Sequence, residues 1–312
     1  MSLLNDAPGV KHPGPGRPEE RVIQVRDGSG VRAVFHPCST ASSRRFLLIH
    51  GNPRSLEDFD RLAPLLCPLG EVLTLDLPGF GQSTRPPTQR PSDLALPRLA
   101  EVILEVAGSF GWTAPFVTVG HSHGGGVAQL LAARHPDRVR AIVLLGTLAF
   151  PTHLNYRLLP LPGVRQLMQC AAAFVRVPGF NWAKRALVRQ VLTMVSSPER
   201  PSASEVAQEL ESMTRAPHSL VSMVDVALGR PSTLLRQLAP RIQCPTLIIH
   251  GQRDAVVPVR CAEALYEGTA AARGNVQLHI LPDAGHMLAR YQAQRCAALI
   301  RDFDDDVADS AI

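Results

Sequence analysis

The 312-residue sequence predicts an α/β protein, with a mostly parallel sheet, helices on both faces and a helical insertion. Three observations carry that expectation. Short continuous apolar runs recur, of the kind seen in strands buried on both faces. Helix-period segments separate most of these runs, and strand–helix alternation means a parallel sheet covered by helices. A single interval of about a hundred residues, from Leu145 to Thr246, breaks the alternation and shows no clear strand.

Taken in order, residues 1–20 are rich in proline and glycine (Pro8, Gly9, Pro13, Gly14, Pro15) and are expected to form a disordered leader. Arg21–Val25 and Val31–Phe35 flank Asp27-Gly28-Ser29-Gly30, a hairpin signal. Buried strands are then expected at Phe46–Ile49, Val72–Leu75, Phe116–Val119, Ala141–Leu145, Thr246–Ile249 and Val276–Leu281. Helical patterns fall at Leu56–Leu66, Leu94–Phe110, Gly125–Arg134, Cys261–Thr269 and Tyr291–Phe303. In the long interval, short helices at Gly163–Val175, Trp182–Val195, Ser204–Ser212 and Ser219–Leu228 are separated by prolines. The organisation expected is a core of residues 21–146 and 240–312 with a helical cap at 147–239. The acidic end, Asp302, Asp304–Asp306 and Asp309, reads as a frayed solubilising tail.

Composition narrows the function. A hydrophobic share of 45% is ample for a core, and no apolar run approaches the ~20 residues that span a bilayer. The net charge of +5 is spread with no basic run longer than two residues, and aromatics are only 5%, so nucleic-acid binding is not expected. Cys38, Cys67, Cys170, Cys244, Cys261 and Cys296 form no CxxC pair, which fits neither zinc nor a disulfide frame. The first residues lack the charged start and apolar core of a secretory signal. A cytoplasmic setting, a small-molecule substrate and no cofactor or metal are the expectation.

The chemistry concentrates at Gly120-His121-Ser122-His123-Gly124, between a strand and a helix. This is G-x-S-x-G in the context that makes it a nucleophile elbow. Small residues at both ends let strand and helix close together, pushing the Ser122 hydroxyl out above the sheet edge. A serine needs a base, and His286 follows the strand Val276–Leu281. The orienting acid is Asp254, just beyond Thr246–Ile249. All three lie just past the C-terminal ends of strands, where parallel sheets gather active groups. Oxyanion donors are expected from the backbone N–H groups of His123 and Asn52, since Pro53 has none to give. His50 and His250, at strand ends, are expected to brace loops.

These residues, together with Asp76-Leu77-Pro78-Gly79-Phe80-Gly81-Gln82-Ser83, resemble the α/β-hydrolase superfamily, in its serine-nucleophile, helical-cap subgroup. The resemblance implies an eight-stranded, mostly parallel sheet, a helical cap between the sixth and seventh strands, no metal or organic cofactor, and Ser-His-Asp catalysis. His50-Gly51-Asn52-Pro53 also resembles the oxyanion loop of haloalkane dehalogenases. Those enzymes attack with aspartate, whereas Ser122 stands here, so dehalogenase and epoxide-hydrolase chemistry are not expected.

The cap sets the substrate. Met168, Phe174, Trp182 and Met223, with Met287 beside His286, are candidates for an apolar substrate pocket. The leading functional expectation is a serine hydrolase that cleaves an ester, thioester or lactone with a mainly apolar acyl group, through an acyl-enzyme. The same triad also serves C–C bond hydrolysis of a vinylogous diketone, or acyl transfer or ring closure in biosynthesis. A non-catalytic small-molecule receptor is the alternative from a different class.

Overall fold

The computed structural model describes residues 17–38, 42–149, 157–273 and 275–309. Residues 1–16 of the expected leader lie outside them. Eight strands form one sheet: β1 (Glu19–Gln24), β2 (Gly30–His36), β3 (Arg45–Ile49), β4 (Glu71–Leu75), β5 (Phe116–His121), β6 (Val139–Leu145), β7 (Thr246–Gly251) and β8 (Val276–Leu281). Their order is β1-β2-β4-β3-β5-β6-β7-β8. β1 and β2 pair antiparallel, as do β2 and β4, and all other pairs are parallel. β1 starts earlier than expected: Glu19 and Glu20, assigned to the leader, pair with Phe35 and Val34. Its alternating half-buried residues suit an edge strand with one face in water.

The continuous apolar runs serve two layers at once. Phe46 and Leu48 of β3 join Val117, Val119, Leu247 and Ile249 on one face. Leu47 and Ile49 join Leu73, Leu75, Ile142 and Leu144 on the other. The second face is covered by α2 (Leu96–Ser109), α3 (His123–Arg134) and α9 (Arg260–Arg273). The first is covered by α1 (Ala63–Leu66), α10 (Leu288–Tyr291) and α11 (Ala293–Asp309).

Prolines trim two expected helices. Leu56–Leu66 divides into a 3-10 turn, Leu56–Phe59, and α1, which opens with Pro64 in its first turn. Pro64 has no N–H and its ring meets the carbonyl four residues back, so one continuous helix is barred. α2 likewise begins with Pro97 in its first turn. The acidic tail does not fray: α11 runs to Asp309, and Asp304 is fully buried between Arg44 and Arg140. Two cations neutralise that carboxylate, so Asp304 is packed, while Asp302, Asp305, Asp306 and Asp309 stay exposed on the helix.

Between β6 and β7 the described chain forms five helices: α4 (Val164–Arg176), α5 (Asn181–Ser196), α6 (Ala203–Arg215), α7 (His218–Leu228) and α8 (Pro231–Leu238). Ser202 and Glu205 make a capping box that starts α6. A small apolar cluster, Val188, Leu192 and Val206, joins α5 to α6. Charged groups tie the helices to the core. Arg85 donates to Asp225 of α7 at 2.8 Å, Arg54 to Glu209 of α6, and Arg290 to Glu205 at 3.2 Å. Asp225 also accepts from Arg165 of α4 at 2.8 Å and is fully buried.

Removing Asp225 strands the buried guanidinium of Arg85. Asp225→Ala is expected to cost about 3–5 kcal/mol in urea unfolding. Glu211→Ala, which removes an exposed partner of Arg215, should cost less than about 1 kcal/mol. Equal effects of the two substitutions would contradict the assignment of Asp225 as a structural anchor.

Candidate active site

Ser122 sits between β5 and α3 with φ 50° and ψ −115°, a conformation costly for a residue with a side chain. Three backbone hydrogen bonds hold it there. Its N–H donates to Leu145 O at 2.9 Å, and its carbonyl accepts from Leu148 N at 2.8 Å and Gly125 N at 3.1 Å. Room for the turn comes from Gly124, where a Cβ would collide with the carbonyls of Ile49 and His50. The Ser122 side chain is partly exposed while its neighbours His121 and His123 are buried.

Asp254 lies three residues past β7, and His286 five past β8. His286 Nδ1 and Asp254 Oδ2 are 2.7 Å apart, with both side chains buried. The other carboxylate oxygen accepts from Val256 N at 2.8 Å and Val257 N at 2.7 Å. Burial opposes the charge on Asp254, but His286, His250 and these N–H groups outweigh it and hold the carboxyl below its ordinary value. An ionised carboxylate only accepts, so Nδ1 is the donor in this bond and Nε2 is the ring nitrogen left to face a substrate. Gly146, at the end of β6, has φ 50°, and a Cβ there would lie 3.3 Å from His286 Nδ1 and 3.4 Å from Asp254 Oδ2. The ends of β5, β6, β7 and β8 thus bring the serine, histidine and aspartate to one edge of the sheet.

The loop after β3 passes over the nucleophile. A Cβ on Gly51 would lie 3.0 Å from Ser122 Cβ. Asn52 follows, its side-chain nitrogen 3.5 Å from Met223 O of α7. His123 opens α3, where the first backbone N–H groups have no intrahelical acceptor. Its ring is buried and its pKa pushed down to about 3 by burial, reinforced by His50, so it adds no charge. His50 accepts from Leu77 N at 2.9 Å through Nε2, which leaves Nδ1 to donate to Gly51 O at 2.6 Å. His250 donates to Val257 O at 2.8 Å.

The pocket candidates divide. Met287 is buried beside His286 and Met223 is half-buried against Asn52. Met168 is half-buried on α4. Trp182 and Phe174 are not brought to the site, being 78% and 37% exposed. An apolar stripe on a helix does not specify which way the helix turns, and here these two face water. A cleft of about 700 Å³ lies between segment 54–61 and α6, but its lining is polar and excludes Ser122, Asp254 and His286.

One arrangement was absent from the sequence reading. His121 Nε2 donates to the backbone carbonyl of His286 at 3.0 Å. On its other side Asp58 Oδ2 lies 3.8 Å from Nδ1, and Asp58 is bound by Arg54 at 2.8 Å. Burial opposes the charge on Asp58, but Arg54 and His121 hold its carboxyl well below the usual range. The spacing of Arg54 and Asp58 hints at their pairing, but nothing local reveals His121 reaching 165 residues along the chain.

The chain belongs to the alpha/beta hydrolase fold family, whose model matches residues 44–289. It is similar to pimeloyl-(acyl-carrier protein) methyl ester esterase from Neisseria meningitidis serogroup B, with 30% identity over 266 residues covering 83% of this chain and 92% of that protein. It is also similar to 2-hydroxymuconate semialdehyde hydrolase from a Pseudomonas species, with 28% identity over 283 residues covering 88% and 91% of the two chains. Among solved structures, a thermophilic esterase from Thermogutta terrifontis superposes with TM-score 0.69 at 24% identity, covering 94% of this chain and 99% of that one. Among the described residues, no helix is long and apolar enough to cross a membrane.

Burial depresses the pKa values of His50, His123 and His250, against attraction from Asp76 at His50 and from Asp254 at His250. Folding therefore favours their neutral forms, and the unfolded chain binds more protons below its ordinary value of about 6.5. Stability should be complete above that pH and fall below it, by about 1.4 kcal/mol per pH unit for His123 down towards its value of about 3, with His50 and His250 acting in the same direction. Asp254 acts in a separate window, its contribution present above about pH 4 and lost as pH falls through its lowered value. Urea unfolding between about pH 7.5 and 5 checks the histidine term. A flat profile would show that these rings are not buried neutral.

Proposed function

We propose that this protein is a cytoplasmic serine hydrolase that cleaves a small-molecule ester, thioester or lactone with a mainly apolar acyl group. The observation that carries the reading is the buried 2.7 Å bond between Asp254 and His286, at the sheet edge that also carries the strained Ser122. In this reading Ser122 Oγ attacks the substrate carbonyl while His286 Nε2 takes its proton. Asp254 fixes the tautomer and stabilises the imidazolium. The backbone N–H groups of Asn52 and His123 receive the oxyanion, aided by the N-terminus of α3. His286 then protonates the leaving group, and water, activated by the same imidazole, releases the acid from Ser122. The inserted helices α4 to α8 act as a cap over this edge, with Met223 and Met287 nearest the acyl group. No metal or cofactor enters the scheme. The relatives' names, a methyl ester esterase and a hydrolase, support it.

C–C bond hydrolysis is kept as a second reading because of one likeness. A relative named for a semialdehyde, which has no ester bond, reaches 28% identity. Such a substrate class offers a carboxylate, which wants a cation beneath the cap. The cap arginines do not favour this. Arg165 is engaged by Asp225, and Arg157, Arg176, Arg185 and Arg189 are exposed. Ester cleavage is the stronger reading.

The test is turnover of p-nitrophenyl esters of graded chain length. Wild type should show an optimum in acyl length. Ser122→Ala, His286→Ala and Asp254→Asn should each lower kcat by roughly 10⁴-fold or more. Residual activity near wild type in Ser122→Ala would refute the role of the serine. Faster wild-type turnover of a vinylogous diketone than of any ester would move the second reading ahead.

A further inference from the structure

Helices α4 and α5 of the insertion have an unusual surface. Residues 157–197 contain six cations, Arg157, Arg165, Arg176, Lys184, Arg185 and Arg189, and no acidic residue. Two of the cations serve the fold. Lys184 is buried and donates to the carbonyls of Val175 and Val177, closing the C-terminus of α4, and Arg165 binds Asp225. Arg157, Arg176, Arg185 and Arg189 are exposed, and none makes an ion pair among the described residues.

Apolar groups share this surface. Of 14 exposed large hydrophobic side chains among the described residues, ten lie between positions 158 and 194, so the exposure is local rather than scattered. The apolar stripe of α4 includes Leu167, Met168, Phe174 and Val175, of which only Val175 is buried. α5 buries Val188 and Leu192 on one side while Leu187, Val191 and Met194 line another side in water. A helix apolar on two sides fits between two apolar media. Linking α4 and α5 is Val177-Pro178-Gly179-Phe180, which with Asn181 and Trp182, the first residues of α5, makes the turn 177–182. Its two aromatic rings project, Phe180 at 59% and Trp182 at 78% exposed.

We propose that the face formed by α4, the turn 177–182 and α5 docks on an anionic phospholipid surface. Phe180, Trp182 and the outward aliphatic side chains enter the interfacial layer, where amphipathic aromatic rings are favoured. Arg176, Arg185 and Arg189 meet headgroup phosphates. Charge decides among the occupants. A second copy of the chain would set four exposed arginines against four with no carboxylate between them to neutralise the charge. An acidic protein would account for the cations but not for apolar side chains spread over two helices and a turn. The proposal concerns binding alone and does not rest on the chemistry at Ser122.

The protein carries its own reporter, since one of its two tryptophans is Trp182 and the other, Trp112, is 1% exposed. The full chain is mixed with phosphatidylcholine vesicles with and without phosphatidylglycerol. A blue shift of tryptophan fluorescence and co-sedimentation are expected with the anionic vesicles, weakened by salt. The triple variant Arg176→Gln, Arg185→Gln, Arg189→Gln should bind roughly fivefold more weakly per cation removed. Phe180→Ser should also weaken binding, with its urea midpoint unchanged, and Ser122→Ala should bind as wild type does. Any of four results overturns the proposal: no shift and no sedimentation of folded protein, undiminished binding by the triple variant, a concentration-dependent dimer abolished by Phe180→Ser, or the same shift with polyglutamate but no vesicle partition.

Discussion

The backbone at Ser122 is the constraint around which the rest of the site is built. A residue with a side chain held at φ 50° and ψ −115° costs about 1–3 kcal/mol, and only surrounding structure can hold it there. That structure is the buried pairing of β5 with β6 and the packing of α3 against β3, which has no space for a Cβ at Gly124. The same turn sets the direction of everything attached to it. It lifts the serine out of the core, starts α3 beneath it, and turns the neighbouring His121 inward to the carbonyl of His286. Relaxing the turn would therefore disturb nucleophile and base together.

Charge links the inserted helices to that centre. Glu209 of α6 binds Arg54, Arg54 binds Asp58, Asp58 faces His121, and His121 holds the His286 backbone. Buried ionic chains of this kind give little net stability, because desolvation offsets much of the attraction. What they supply is direction: each group accepts few partners, so the loop bearing His286 is set relative to α6. Asp225, between Arg85 and Arg165, fixes α7 and α4 in the same manner. The insertion meets the core through these polar contacts and through Val226, Leu235 and Leu238, which join the apolar layer that covers one face of the sheet.

Much of this was legible in the sequence for reasons that can be named. Strands β3 to β7 are buried on both faces, so their apolar runs stand out whatever their neighbours do. Ser122 and Asp254 were legible because each follows such a run. His286 follows β8, expected as a buried strand but in fact an edge strand of mostly half-buried residues, and was legible by its place after Ser122 and Asp254 in the chain. What escaped is set by distant parts of the chain. Trp182 and Phe174 belong to an apolar pattern that reads equally as pocket, core or exposed face, and burial alone distinguishes them. Asp304 looked like part of a solvated tail until Arg44 and Arg140 were seen to enclose it. The link from Asp58 through His121 to His286 joins residues that no local spacing relates.

The central claim is that Ser122 is a nucleophile activated by His286. Its most direct test is intact-mass and peptide mapping after reaction with a fluorophosphonate. A single adduct on Ser122 is predicted in wild type, with labelling slowed strongly in His286→Ala of unchanged fold. A folded wild-type protein that stays unlabelled, or carries its adduct on another residue, would contradict the account.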